Sequence, residues 1–197
     1  MDLCAQMSVL GQAAEITPTT FRVRTPRLTL REMHPEDSAA CARIGGQEAV
    51  APMLLSVTSP WPMDAVQDWI AKSRWTGRPA LRLAILRDDA LIGVVGAGPG
   101  PKEASMMYFI DPTHWGHGYA SEAAEAFIDA LFDHFQDLGV LVADHFIDNP
   151  ASGRVLRKLG FEETGRSFGE SAARLEPEPV IDYRLTRAAW ESPREIS

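Results

Sequence analysis

The segment from residue 106 to residue 138 constrains the fold more than any other part of the chain. A short apolar run, 106–110, leads through Gly116 and Gly118 into a long pattern with apolar residues at helical spacing. The apolar positions of that pattern are Ala120, Ala123, Phe127, Leu131, Phe135 and Leu138. The segment predicts a strand, a tight turn and a helix to about residue 137 that buries one face against a sheet.

The turn itself has the features of an anion site. Glycine has no Cβ, so main-chain N–H groups near it can approach a ligand closely. The first turn of a helix leaves its N–H groups without internal partners, and the helix dipole makes that end positive. Such a turn favours a phosphate or diphosphate. The segment lacks the spacing of a Walker loop or a dinucleotide fingerprint, and a turn that binds nothing explains it equally well.

Length and composition indicate one globular domain. The 197 residues are 45% hydrophobic and 23% charged, which is ordinary for a folded domain. We expect a weakly ordered lead-in at 1–16 and a single domain at 17–197. No apolar run reaches membrane-spanning length and no secretion signal opens the chain, so no membrane location is expected. Cys4 and Cys41 form no disulfide or metal pattern, which fits a reducing cytoplasm.

The charge of the chain argues against one class of partner. With 19 basic and 27 acidic side chains, the net charge is −8. A protein that binds nucleic acid needs a basic surface, so no nucleic acid partner is expected. An acidic protein suits a cationic substrate such as an amine.

Alternating and helical patterns predict an α+β (mixed α/β) fold: a mixed, mostly antiparallel sheet of about seven strands with helices on both faces. The predicted strands are 21–31, 81–86, 91–97, 106–110, 140–147, 161–167 and 180–186. The predicted helices are 34–44, 47–55, 65–75, the helix after Gly118, and a helix that begins at Pro150 and is closed by 160–161.

Four groups of residues resemble motifs of the GNAT (GCN5-related) N-acetyltransferases. They are 115–120 (Trp-Gly-His-Gly-Tyr-Ala), 149–152 with 158–161, 25–31, and 182–186. In their order and spacing the chain is most similar to the RimJ/RimL-type branch, which acetylates ribosomal-protein N-termini and various small amines. The resemblance covers about residues 21–190. It implies the GNAT fold, with acetyl-CoA as acetyl donor and a primary amine as acceptor.

The resemblance also implies how acetyl-CoA binds. The diphosphate would lie on the N–H groups around the turn, and the pantetheine amides would pair with the edge of strand 106–110. The N–H of Ile110 would polarise the thioester carbonyl. No metal is implied. The expected cosubstrate-binding residues are Phe109, Ile110, Trp115, Gly116, His117, Gly118, Tyr119, Ala120, Ser121, Asn149 and Ser152.

Ser152 and His145 are the candidate catalytic residues. By resemblance Ser152 donates a proton to the departing sulfur, whereas Asn149 and Ser152 together also fit a plain helix cap. His145 fits a base that acts through water, or a histidine that is hydrogen-bonded within the sheet. Many relatives carry a tyrosine at the position of Leu156, so a tyrosine acid at that position is excluded here. The weaker candidates are Tyr108 and Asp111.

Other positions have a plain structural explanation. Glu122 lies in the first helical turn, where a carboxylate gains from the dipole of any helix. His114 and His117 form an H-x-x-H pair, but no cysteine accompanies it and no metal site is expected. Trp115 stands where many relatives have Gln or Arg, and a phosphate site built from main-chain groups tolerates that change.

No motif defines the acceptor, but Trp61, Trp69 and loop 169–179 are expected to border its site. Only a neutral amine attacks, and deprotonation at pH 7 costs about 1.4 kcal/mol for an α-amine and about 5 kcal/mol for a lysine. Because no obvious base is present, α-amines are favoured. The alternatives are a non-catalytic acyl-CoA-binding protein of the same fold and a metal hydrolase using histidines 114, 117 and 145. A homodimer is expected.

Overall fold

Nine strands form one sheet in the computed structural model, which describes residues 13–17, 20–100 and 102–192. The strands are β1 (Ala13–Thr17), β2 (Thr20–Arg24), β3 (Thr29–Glu32), β4 (Leu81–Arg87), β5 (Ala90–Ala97), β6 (Glu103–Ile110), β7 (Val140–Phe146), β8 (Glu162–Gly169) and β9 (Glu178–Thr186). Their spatial order is β1-β2-β3-β4-β5-β6-β7-β9-β8. Every neighbouring pair is antiparallel except β6 and β7, which are parallel.

The described part of the chain also contains five α-helices. They are α1 (Ser38–Gly45), α2 (Met63–Ala71), α3 (Tyr119–His134), α4 (Pro150–Lys158) and α5 (Arg187–Glu191). Short 3-10 helices lie at Pro35–Asp37, Ala51–Met53 and Pro112–His114. Within these same ranges, no helix combines the length and the apolar character that crossing a membrane requires.

The two faces of the sheet carry separate hydrophobic cores. Along β4, Leu83 and Ile85 belong to the core under α3 and α4, whereas Ala84 and Leu86 belong to the core under α1 and α2. Successive side chains of a strand point to opposite faces, so one strand supplies both cores. The predicted architecture, a mixed and mostly antiparallel sheet flanked by helices, is confirmed.

The number of strands differs from the seven that the sequence predicts. The N–H of Thr25 bonds to the carbonyl of Leu28 at 2.9 Å, so the pattern at 21–31 forms a hairpin, β2–β3, instead of one broken strand. Residues 13–16, which the sequence places in the lead-in, belong to β1 and pair with β2. The rest of that lead-in lies outside the described residues.

Two predicted helices are shorter than their sequence patterns. The segment 47–55 contains one 3-10 turn, Ala51–Met53, because Pro52 has no N–H to donate to the preceding turn of a helix. Helix α2 ends early, because the Ser73 hydroxyl donates to the carbonyl of Trp69 at 2.7 Å. At the end of α2 a side-chain hydrogen bond thus outweighs the local helical preference.

Strands β6 and β7 pair over three residues and then separate. The parallel pairs are Glu103–Val140, Ala104–Leu141 and Ser105–Val142. Beyond them, among the described strands, β6 continues beside β5 alone and β7 continues beside β9 alone. A gap therefore opens in the sheet between residues 106–110 of β6 and 143–146 of β7, next to the turn before α3.

Arg187 closes the far end of α3. Its guanidinium donates to the carbonyls of Phe132, Phe135 and Leu138 at 2.7, 2.5 and 3.1 Å. The guanidinium carbon also lies 4.8 Å from the centre of the Phe132 ring. The last carbonyls of a helix lack internal partners, so this arginine satisfies groups that α3 would otherwise leave open.

Replacing Arg187 by methionine keeps the apolar stem and removes these hydrogen bonds. We expect the free energy of unfolding to fall by about 2 kcal/mol, measured by urea denaturation. The control is Arg184→Met on β9: Arg184 is exposed, so its loss should change stability by less than about 0.5 kcal/mol. Equal losses in the two variants would contradict this role of Arg187.

Candidate functional site

The turn before α3 forms an open cradle of main-chain N–H groups, which we define as residues 116–121. Gly116 and Gly118 have φ angles of +78° and +79°, which other residues adopt only under strain. A Cβ built on Gly116 meets no atom within 4 Å, and one built on Gly118 meets only the Arg27 guanidinium, at 3.6 Å. Among the described residues, the N–H groups of the cradle donate to no protein acceptor. The cradle therefore fits an anion such as a diphosphate.

Glu122 ties the cradle to the turn between β2 and β3. Its carboxylate accepts from the Thr25 hydroxyl at 2.5 Å and from the Arg27 main-chain N–H and Nε at 3.1 and 2.6 Å. Arg27 in turn donates to the carbonyl of His117 at 3.0 Å and lies 4.7 Å from the centre of the Tyr119 ring. The sequence explained Glu122 by the helix dipole alone and missed this network, although motif 25–31 contains two of its members.

The side chains of the cradle are held by local contacts. Nε1 of Trp115 donates to the carbonyl of Ile110 at 2.8 Å, and the His117 ring stacks on Tyr119 with centroids 5.6 Å apart. Nδ1 of His114 lies 3.0 Å from the Thr113 hydroxyl, and Nδ1 of His117 lies 2.8 Å from the carbonyl of Trp115. Among the described residues, no three His, Cys, Asp or Glu side chains are grouped closely enough to hold a metal ion.

The main chain of β6 presents alternate groups to the gap. The N–H of Asp111 bonds to Ile92, and the carbonyl of Ser105 accepts from Gly98, both on the β5 side. Because the groups of an antiparallel strand alternate in direction, the N–H of Ile110 faces the gap. Phe109, named among the binding residues, has its main-chain groups directed to β5.

Helix α4 begins at the other side of the gap with a side-chain cap. Oδ1 of Asn149 accepts from the N–H of Ser152 at 3.3 Å. This is the helix cap that the sequence analysis gave as the alternative to a binding role. The amide nitrogen of Asn149 donates to no described residue, so capping leaves this donor for a ligand. Leu156, one turn later, is fully buried in the core under α3 and α4.

Tyr108 spans the gap from β6 to α4. Its hydroxyl lies 2.9 Å from Oγ of Ser152 and 3.1 Å from the carbonyl oxygen of the same residue. Burial raises the pKa of Tyr108 to about 12, so the phenol stays protonated throughout the neutral range. The sequence ranked Tyr108 below Ser152, because nothing in the sequence shows that the two hydroxyls meet.

His145 is buried between β7 and α4, with a partner at each ring nitrogen. Nδ1 lies 2.8 Å from the carbonyl of Phe146, and a carbonyl only accepts, so we assign the ring hydrogen to Nδ1. Nε2 then accepts from the Tyr183 hydroxyl at 3.3 Å, and that hydroxyl accepts from Arg157 at 2.9 Å. A Cβ on Gly153 would lie 2.4 Å from Nε2, so α4 packs directly on the ring. This geometry favours the hydrogen-bonded role of His145 over that of a base.

Asp144 is a candidate site residue that the sequence reasoning missed. It lies on β7 at the gap, on the face opposite to Ser152, and stands directly across from Asp182 of β9. Although the Asp144 side chain is exposed, desolvation by the surrounding protein and the charge of Asp182 raise the pKa of Asp144. Two aspartates placed opposite each other destabilise a sheet, and only the strand register reveals that they are neighbours.

Asp111, a weaker candidate base, is held as a bonded carboxylate. It is buried and accepts from Arg43 at 2.7 Å and from the hydroxyl of Thr113 at 3.0 Å. Burial alone would raise its pKa, but the bonds from Arg43 and Thr113 hold the pKa of Asp111 below its usual value. A carboxylate so stabilised is a poor proton acceptor near neutral pH.

The predicted acceptor border lies on the face of α1 and α2. The rings of Trp61 and Trp69 meet edge to face, with centroids 5.2 Å apart, in the core of that face. Arg174, in the loop between β8 and β9, donates to the carbonyl of Pro52 at 2.8 Å and lies 4.1 Å from the centre of the Phe146 ring. The loop is thus attached beside the gap, on the same face as Asp144.

Comparisons with known proteins identify the family to which the chain is similar. Residues 27–162 match the family model described as an acetyltransferase (GNAT) domain. The chain is 36% identical over 90 residues to the uncharacterized N-acetyltransferase YoaA of Bacillus subtilis, covering 43% of this chain and 50% of that protein. It is 35% identical over 83 residues to the ribosomal-protein-serine acetyltransferase of Escherichia coli, covering 39% of this chain and 44% of that protein. These matches thus span about half the length of the two curated relatives.

A solved structure shares the fold. The structure of Mycobacterium smegmatis RimJ in complex with CoA-disulfide is similar with a TM-score of 0.72 at 22% identity, covering 93% of this chain and 90% of that one. The family model covers more than half of the chain and includes the cradle, the diverging part of β6 and the start of α4. The chain therefore belongs to the GNAT family of acetyltransferases, whose acetyl donor is acetyl-CoA.

Proposed function

We propose that this protein transfers the acetyl group of acetyl-CoA to a primary amine, either a peptide or protein N-terminal α-amine or a small amine. The observation that supports it most is the gap between β6 and β7, which opens beside the cradle. The Escherichia coli relative is named for acetylating a serine of a ribosomal protein, which supports the first acceptor class and a cytoplasmic location. The expected homodimer stays a prediction, which light scattering of the purified protein checks.

The main chain supplies the donor site. The cradle binds the diphosphate, and the edge of β6 that faces the gap binds the pantetheine amides as an added strand would. When bound, acetyl-CoA supplies an acetyl group activated as a thioester. The N–H of Ile110 donates to the oxygen on which negative charge develops, and one such donor contributes about 3 kcal/mol to transition-state stabilisation.

The side chains that assist the departure of sulfur and the deprotonation of the amine lie on opposite faces of the sheet. Ser152, with Tyr108 beside it, lies on the face of α3 and α4, where the sulfur leaves. Asp144 lies on the face of α1 and α2, next to the loops that border the acceptor. We assign it the role of general base, because its raised pKa lets the carboxylate accept a proton from the attacking amine more readily than an isolated aspartate does.

The strength of this base bears on the acceptor class. An α-amine is about one tenth neutral at pH 7, whereas a lysine side chain is neutral in well under a thousandth of molecules. A carboxylate on the exposed side of a sheet gives limited assistance, so an α-amine suits Asp144 better than a lysine does. This agrees with the preference for α-amines drawn from the sequence.

Acetyl transfer is tested with a panel of acceptors. Peptides with different N-terminal residues, amino acids, polyamines and aminoglycosides are incubated with acetyl-CoA, and mass spectrometry detects an added acetyl group. We expect transfer to at least one α-amine. In the same preparation, acetyl-CoA at 100 times its Kd should stabilise the protein by about 2.7 kcal/mol and raise the Tm by about 5–10 °C. A Tm shift without transfer to any acceptor would favour the non-catalytic alternative.

The cradle is tested by adding a branched side chain to it. Gly118→Val places a β-branched side chain against the N–H groups, so we expect the Kd for acetyl-CoA to rise by about a hundredfold or more, measured by calorimetry. The matched control is Gly77→Val: Gly77 has a φ of +74° and its Cβ would meet nothing within 4 Å. Both variants carry similar backbone strain, so the affinity should separate them and the Tm should not. Unchanged affinity in Gly118→Val would remove the assignment.

The base is tested by the pH dependence of kcat/KM. Asp182→Asn removes the charge opposite Asp144, which lowers the pKa of Asp144, so the acid limb should move down by about 0.5 pH unit. Asp144→Asn should lower kcat about a hundredfold without loss of stability, because the like-charge pair is removed. Asp133→Asn makes the same charge change at an exposed position on α3 and should leave the profile unmoved. An acid limb that stays in place in Asp182→Asn would refute the role of Asp144.

A further inference from the structure

Tyr108 places a hydroxyl inside the gap although its main chain belongs to β6. Its contact with Ser152 connects β6 and α4, the two elements between which the proposed function places the acetyl donor. The hydroxyl is within hydrogen-bond distance of both Oγ and the carbonyl oxygen of Ser152, at 2.9 and 3.1 Å. The start of α4 is therefore fixed to β6 by a side chain at the point where the two strands no longer pair.

The two contacts differ in which group can donate. A carbonyl oxygen only accepts, so the phenol donates in the 3.1 Å contact with the carbonyl of Ser152, whereas either hydroxyl can donate in the 2.9 Å contact with Oγ. A serine hydroxyl accepts two hydrogen bonds and donates one. When the phenol of Tyr108 turns to donate to Oγ, the hydroxyl hydrogen of Ser152 is left for a group in the gap.

We propose that Tyr108 is a positioning residue that holds the Ser152 hydroxyl so that it donates a hydrogen bond to the departing sulfur. This rests on the proposed function. The lone pair of the amine nitrogen attacks the acetyl carbon and the C–N bond forms. The C–S bond then breaks, its electron pair goes to sulfur, and the amine proton goes to Asp144. Negative charge collects on sulfur, where the Ser152 hydroxyl stabilises it, and Tyr108 keeps its own proton.

The burial of Tyr108 suits this role. Because its pKa is raised to about 12, the phenol remains neutral at every pH at which the protein is expected to act. A phenolate would repel the thiolate, and it would have no hydrogen to donate to Ser152. A thiol has a pKa near 8.5, so the leaving thiolate needs a hydrogen bond more than it needs a full proton transfer.

The test is a double-mutant cycle measured in single turnovers, with the best acceptor of the screen. Tyr108→Phe should slow acetyl transfer about tenfold while the KM for acetyl-CoA changes less than about twofold. Ser152→Ala should slow transfer by at least as much. Because Tyr108 acts through Ser152, the double variant should be no slower than Ser152→Ala.

The matched control is Tyr183→Phe. Tyr183 is also buried and its hydroxyl also bonds a residue of α4, but its partners are Arg157 and His145 rather than Ser152. The Tyr183→Phe variant should lower the Tm as much as Tyr108→Phe does, and its single-turnover rate should stay within about twofold of that of the unmodified protein. A multiplicative, roughly hundredfold loss in the double variant, or an equal slowing in Tyr183→Phe, would overturn the inference and leave the proposed function standing. No transfer by the unmodified protein would overturn both.

Discussion

The early end of the pairing between β6 and β7 is the constraint on which the rest of the site depends. Main-chain groups inside a protein require hydrogen-bond partners, yet β6 beyond Ser105 has a paired strand on one side only, among the described elements. A ligand that supplies alternating amide groups meets that requirement, and pantetheine has such groups. Under the proposed function, the gap therefore favours an extended ligand and places the end of that ligand near the middle of the sheet.

The sequence predicted the parts of the site that local chemistry determines. Gly116 and Gly118 indicated the cradle because their positive φ angles follow from a tight turn, and Asn149 with Pro150 indicated the start of α4. Contacts between distant residues escaped prediction. The meeting of Tyr108 with Ser152, and of Asp144 with Asp182, depends on strand register and on how α4 packs, and no local pattern records either.

The role of base proposed for Asp144 gives a reason for keeping the Asp144–Asp182 pair in a sheet that the pair weakens. Like charges directly opposite each other cost stability, and a fold selected for stability alone would replace one of them. Desolvation and the same repulsion raise the pKa of Asp144, which suits the role of base proposed for it. In contrast, the buried carboxylate of Asp111 is fully compensated by Arg43 and Thr113, and it serves the local structure of the turn.

The attachment of the β8–β9 loop to the segment around Pro52 has a consequence for how this protein diversifies. Ala172 and Arg174 bond the main chain at Leu55 and Pro52, whereas the cradle is bonded to the β2–β3 turn through Arg27 and Glu122. Under the proposed function, the segment that borders the amine and the cradle that binds the diphosphate are thus anchored by separate contacts. Substitutions in the first segment would then change the acceptor without disturbing the binding of acetyl-CoA.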